Sequence, residues 1–210
     1  MSTPTPEPCT VIFSADPKLI GVTFNVFTGV VGTFRVFGHS LLLQFSDFKM
    51  EFKAGTADEP RIVAAEVDPS SLRVVDRVDW KRKAPKESPP NAWDKTMIKK
   101  NALESVLEVE KHPDAIRFNV KEQTKDHVLG DLTLHGVTAP VKCTRRSTDY
   151  YHIAECPLLQ KDFGIAPYGF GENNFSVDPE VMVQVKIPKP VMQALAQEMT
   201  AANSKRRGWF

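Results

Sequence analysis

Residues 130–141 read GDLTLHGVTAPV, an alternating run that stops at a histidine. Leu132 and Leu134 fall on one side of the chain and Asp131 and Thr133 on the other, the period of a half-buried β-strand. His135 ends the run, Gly136 frees the backbone to reverse, and an apolar Val-Thr-Ala-Pro-Val segment follows. The expected structure is a strand, a tight turn and a second strand, with the His135 ring hydrogen-bonded to backbone groups near the turn.

The same period of two recurs along the chain. Phe48, Met50 and Phe52 alternate with Lys49, Glu51 and Lys53; Phe34 and Val36 flank Arg35; Val63, Ala65 and Val67 flank Ala64 and Glu66. Further on, Ile116, Phe118 and Val120 flank Arg117 and Asn119, and Val181, Val183, Val185 and Ile187 flank Met182, Gln184 and Lys186. Gly, Pro, Asp and Ser clusters at 53–60, 67–71, 121–127 and 135–140 supply the turns, at hairpin-like spacing. The pattern predicts an all-β antiparallel sandwich or barrel with no βαβ units.

Two segments break the rhythm. Residues 80–92 are basic and proline-rich and read as a loop. Met97, Ile98, Leu103 and Leu107 then recur at near-helical spacing, so 93–107 reads as one or two short helices covering the sheet. Residues 191–203 are rich in helix formers and precede a basic SKRRGWF tail. The domain reading is an N-terminal arm over 1–15, a barrel over 16–189, and a C-terminal helix and basic tail over 190–210.

With 27 basic and 26 acidic residues, the chain has no global charge to favour nucleic acid. The clusters KRK at 81–83 and KRR at 205–207 lack interleaved aromatics and read as solvated charge. The Ile20 to Val31 stretch is too short and too polar to span a bilayer. MSTPTPEPCT has no basic-then-apolar pattern of a secretion signal, so the expected location is cytoplasmic, or periplasmic if a leader has been removed. Cys9, Cys143 and Cys156 form no C-x-x-C motif; they are expected as free thiols, although Cys143 and Cys156 could pair across adjacent strands in an oxidising compartment.

Candidate chemistry is sparse. His39, His112, His127, His135 and His152 show no metal-binding spacing, so no metal is expected. There is no nucleophile elbow, and GFGEN at 169–173 lacks the strand, helix and lysine of a phosphate loop. No cofactor is implied. Thirteen phenylalanines instead argue for a large buried apolar volume, since each buried ring contributes roughly 1.5–3 kcal/mol. An eight-stranded barrel can be filled by such side chains or can hold one slender ligand, and periodicity leaves both open.

Four segments in order, FRVFGHSLLLQFSDFKMEF (34–52), LESVLEVEKHPDAIRFNV (103–120), GDLTLHGVTAPV (130–141) and LLQKDFGI (158–165), give the chain a resemblance. It resembles the YceI-like family, bacterial polyisoprenoid-binding, lipocalin-like proteins. The resemblance implies an extended antiparallel eight-stranded barrel with a helix near one end, commonly a homodimer, holding an isoprenoid or lipid-like molecule without catalysis. Carried onto this chain, it implies a lining of Phe34, Val36, Phe48, Met50, Phe52, Ile116, Phe118, Leu132, Leu134, Phe163 and Ile165, with His39 near the ligand's polar head. The alternatives are an enzyme on an apolar substrate with His39 or His135 as general base, and an interaction module whose barrel is solid.

Overall fold

The run at 130–141 becomes the second and third strands of a five-strand antiparallel meander. The computed structural model describes residues 10–14, 21–33, 39–54, 60–79, 84–85, 88–169 and 176–207. Within it, β8 (Ile116–Gln123), β9 (His127–Leu134), β10 (Val137–Ser147), β11 (Tyr151–Leu159) and β12 (Ser176–Pro188) pair in sequence order. Their turns alternate between two ends of the sheet. Residues 124–126 and 148–150 lie at one end; residues 135–136 and the 3₁₀ turn Gln160–Phe163 lie at the other.

The first half of the chain completes the sheet on both sides. Strand β2 (Thr23–Val31) pairs with β12, then β3 (Leu41–Phe45) and β6 (Leu72–Asp79) follow outward; β5 (Arg61–Val67) and β4 (Phe48–Lys53) extend the other side from β8. Short β7 (Ala84–Pro85) and β1 (Thr10–Ser14) add to the two edges, giving a single sheet of 12 strands among the described residues. The expected count of eight is therefore corrected. The fold is a mostly β, curled antiparallel half-barrel of ten strands with two edge additions and two helices. Thr10–Ser14 lies inside the expected arm and instead pairs with β4, Phe13 opposite Met50. Phe34, Val36 and, of the 80–92 loop, residues 80–83 and 86–87 lie outside the described residues.

Two corners hold the curl. The β3–β4 corner at 46–47 meets the β5–β6 corner at 68–71: the Asp68 amide donates to the Asp47 carbonyl (3.1 Å), and the Ser46 amide and hydroxyl donate to Ser71 Oγ (3.2 Å) and Ser71 O (3.0 Å). Sharp reversals orphan backbone donors and acceptors, and here two reversals satisfy each other. Phe24 and Phe48 meet beside them with ring centroids 4.6 Å apart.

The helices close over the apolar faces. Asn91 caps α1 (Ala92–Asn101) by accepting from the Asp94 amide at 2.8 Å, and a π turn (Ala102–Val106) continues it, matching the periodicity read over 93–107. Ile98, Ala102, Leu103 and Leu107 pack on the core. The C-terminal helix α2 (Lys189–Arg207) starts directly after β12 and buries Leu195 and Met199 in that same core, so its first turns belong to the barrel. No described helix is long and apolar enough to cross a membrane.

The expectation of free thiols is also corrected. Cys143 on β10 and Cys156 on β11 form a disulfide, their Cα atoms 4.2 Å apart. Thr144 pairs with Glu155, so the cysteines occupy the next directly opposed positions on one face, where antiparallel Cα atoms approach most closely.

Candidate functional site

The curled sheet encloses a cavity of about 680 Å³. Alternation explains its wall. Phe24, Val26, Thr28 and Val30 of β2 face it, as do Val181, Val183, Val185 and Ile187 of β12. On β5 a register shift opposite residues 51–52 breaks the simple period: Glu51 pairs with Ala64 but Phe52 with Ile62, so Ile62, Ala65 and Val67 line the cavity while Val63 does not.

The residues expected in the lining divide into three groups. His39, Met50, Ile116, Phe118, Leu132, Leu134, Phe163 and Ile165 are brought together around the cavity. Phe48 and Phe52 share the face of Met50 but sit in the packed core, each 2 % exposed, off the cavity wall. Phe48 is withdrawn by its contact with the Phe24 ring. Phe34 and Val36 fall outside the described residues. Sequence reading missed the helical part of the wall: Ile98, Ala102 and Leu107 on one side, Met192 and Ala196 of α2 on another. The helical period was visible, but which face turned inward was not.

The Phe118 ring needs a glycine beneath it. A Cβ on Gly130 would lie 2.7 Å from the Phe118 ring and 2.3 Å from the Asn119 carbonyl, so no side chain fits there without moving a strand.

His135 occupies a structural node beside the cavity. Leu134 pairs with Val137, and the two residues between them, His135 (φ 54°) and Gly136 (φ 72°), both have positive φ, the requirement of a type I′ hairpin turn. Histidine is among the few residues that tolerate this region. The ring then reaches out of the turn. Nδ1 donates to the Phe163 carbonyl at 3.2 Å, and Nε2 lies 3.1 Å from a Glu108 carboxylate oxygen. These partners are 28 and 27 residues away, not the local backbone expected from sequence. The node ties the end of the π turn to the β9–β10 turn and to the 3₁₀ turn before Ile165.

Glu108 also accepts from Lys111 Nζ, and this bond first and the His135 bond second hold its carboxyl below the ordinary 4.5. Glu108, His112 and His135 each bring one ligand atom within 4.8 Å of the others, enough in spacing for a metal ion. The donor set argues against one: the Lys111 ammonium already holds the carboxylate, and a second cation would meet its charge. The His112 ring lies against that of His135, centroids 4.1 Å apart, and no member of this cluster lines the cavity.

Comparison with known proteins adds a family to this geometry. Among solved structures, BcnA of Burkholderia cenocepacia is similar over 80% of this chain and 96% of its own, at 14% identity and a TM-score of 0.48. A comparison with curated protein sequences finds no match. The YceI-like domain, by contrast, matches residues 13–188, which take in every strand from β2 to β12. The chain is a member of the YceI-like family.

Proposed function

We propose that this protein carries or sequesters a long apolar or amphiphilic molecule, isoprenoid or lipid-like, in its barrel, and that it does so without catalysis. One observation carries the reading: a cavity of about 680 Å³ whose described lining is overwhelmingly aliphatic and aromatic and includes no Asp or Glu. A cavity of this size suits a single small ligand, and each Å² of ligand removed from water contributes about 25 cal/mol. A side-chain-filled barrel fits this volume poorly. So does catalysis by His135, whose two ring nitrogens are both engaged by protein oxygens and which stands off the cavity wall.

The cross-strand disulfide supports work in an oxidising compartment, the periplasmic option rather than the cytoplasmic one, because such bonds persist where thiols are not kept reduced. Alkylation of unpaired thiols immediately after cell lysis tests this: one labelled cysteine fits the reading, and three labelled cysteines contradict it.

For the ligand, organic extraction of purified protein followed by mass spectrometry should yield a stoichiometric lipid-like mass, or the emptied protein should bind added farnesol. Absence of both results would remove the proposal. Leu134→Asp should abolish farnesol binding, since an unpaired carboxylate on the wall costs several kcal/mol whenever apolar chain surrounds it; retained binding in a folded variant would move the ligand elsewhere.

A further inference from the structure

The wall of the cavity is fastened unevenly. Its sheet is knitted by antiparallel ladders, β12 pairing with β11 on one side and β2 on the other along most of their lengths. Helix α1 is pinned by polar bonds: the Arg77 guanidinium donates to Asp94 at 3.2 Å, and the Lys95 ammonium donates to the Val75 carbonyl at 3.0 Å. Helix α2 is held in another way. The Lys189 amide fixes its root by donating to the Tyr150 carbonyl at 2.9 Å, and Pro188 and Pro190 on either side have no amide hydrogen to add. Beyond that root, its described grip on the core is an apolar stripe of Val191, Met192, Leu195 and Met199.

Two rows of side chains run along this helix. Lys189, Met192, Gln193 and Ala196, at helical spacing, face the cavity, whereas Leu195 and Met199 lie in the core, 2 % and 3 % exposed, off the cavity wall. The far side, with Ala194, Gln197 and Glu198, is exposed. The helix is therefore a piece of the wall attached by residues that an occupant of the cavity does not touch. Among the described lining residues only Gln193 and His39 are exposed, so the cavity meets solvent beside α2 and just before β3. The helix also lies beyond residues 13–188, the part of the chain shared with the family. A molecule that fills the cavity has to cross the wall. Parting two strands breaks a ladder whose donors and acceptors then need other partners. Lifting α2 keeps the helix's own backbone bonds and uncovers only its apolar stripe, a local opening far short of unfolding.

We infer that α2 is a lid, which swings about the Pro188–Pro190 junction to admit and release the bound molecule, with Leu195 and Met199 as its latch. The inference rests on the carrier reading above and concerns the route into the cavity. The abrupt change from strand to helix suits a hinge, because the motion is absorbed by a few residues at the end of an element while β12 stays paired up to Pro188.

The test is stopped-flow fluorescence on the full chain with the neutral fluorophore N-phenyl-1-naphthylamine, its release followed by displacement with excess farnesol. Leu195→Ala trims the latch without altering the cavity wall. Association and dissociation rate constants should both rise about fivefold or more, in step, so that Kd stays within about twofold of wild type, because a looser latch raises the open population of the empty and the loaded protein alike. Val78→Ala, at a residue of β6 that is equally buried and off the cavity wall, should leave both constants within about twofold. If Leu195→Ala does not fold, Met199→Ala, one turn further from the hinge, should still raise both about threefold. Rate constants that the latch variants leave unchanged would overturn the lid and move the entrance to the His39 side. Faster dissociation with unchanged association would also overturn it, making α2 a fixed wall. Both results would leave the carrier reading standing, whereas a wild-type protein that binds neither the fluorophore nor farnesol would overturn both.

Discussion

The two ends of the β8–β12 meander are built from the same alternating strands and held in opposite ways. At the His135 end, a two-residue turn projects a ring whose hydrogen bonds to Glu108 and Phe163 join three segments far apart in sequence. At the opposite, basic end, where Arg145, His152 and Lys189 line the cavity, two three-residue turns reverse the chain and a covalent Cys143–Cys156 bond fixes the β10–β11 hairpin. The difference separates two uses of polarity in an apolar container. Polar groups that satisfy each other stabilise the vessel; polar groups that line the cavity are within reach of whatever occupies it.

The largest effect should come from opening the covalent staple. Cys143 and Cys156 are 13 residues apart, and closing a loop of that size contributes about 3 kcal/mol. Reduction, or a Cys143→Ala/Cys156→Ala pair, should lower the melting temperature by roughly that equivalent. An unchanged melt would mean that hydrogen bonding alone holds this end, as it does the other, and the contrast between them would dissolve. Next comes the hydrogen-bonded node. His135→Asn keeps a residue suited to positive φ but loses the tether, and should cost about 1–2 kcal/mol; His135→Ala should cost about 1 kcal/mol more, because alanine also resists the left-handed turn. Equal losses in the two variants would assign the histidine to the tether alone. Both should leave farnesol binding nearly intact.

The contrast also marks how far the sequence could be read. Alternation in 130–141 and 181–187 revealed inward faces because a strand with one buried face cannot slip by a residue without exposing that whole face. It failed at Val63, where a register shift across the β4–β5 pair has no signature in β5 itself. The strand count was out of reach because short edge strands such as Ala84–Pro85 carry almost no pattern. The disulfide and the Glu108–His135 contact depended on which strands become neighbours, a property of the folded sheet that no local spacing encodes. Phe48 and Phe52 obeyed the period and still missed the cavity, since facing inward does not decide between touching a void and touching another ring.

A smaller effect tests the node through protons. The Glu108 carboxyl is held below its ordinary 4.5 by Lys111 first and His135 second. A carboxylate whose folded value is depressed stabilises the fold fully above the unfolded value, and that contribution is lost as pH falls through the folded value. Unfolding midpoints followed downward from neutral pH should therefore begin to lose this contribution near 4.5, and Glu108→Gln should lack that part of the acid sensitivity. Parallel acid profiles for the two proteins would show that the carboxylate is stabilised no better folded than unfolded.

The smallest expected change in stability is also the sharpest test of the division of labour. Lys189 is half-buried at the start of α2, where its backbone, not its ammonium, makes the bond to Tyr150. Lys189→Met keeps the stem that covers apolar surface and removes only the charge, so the melting midpoint should stay within about 0.5 kcal/mol of wild type. A fall of about 2 kcal/mol or more would mean that the basic end, like the His135 end, spends its polar groups on holding the barrel together.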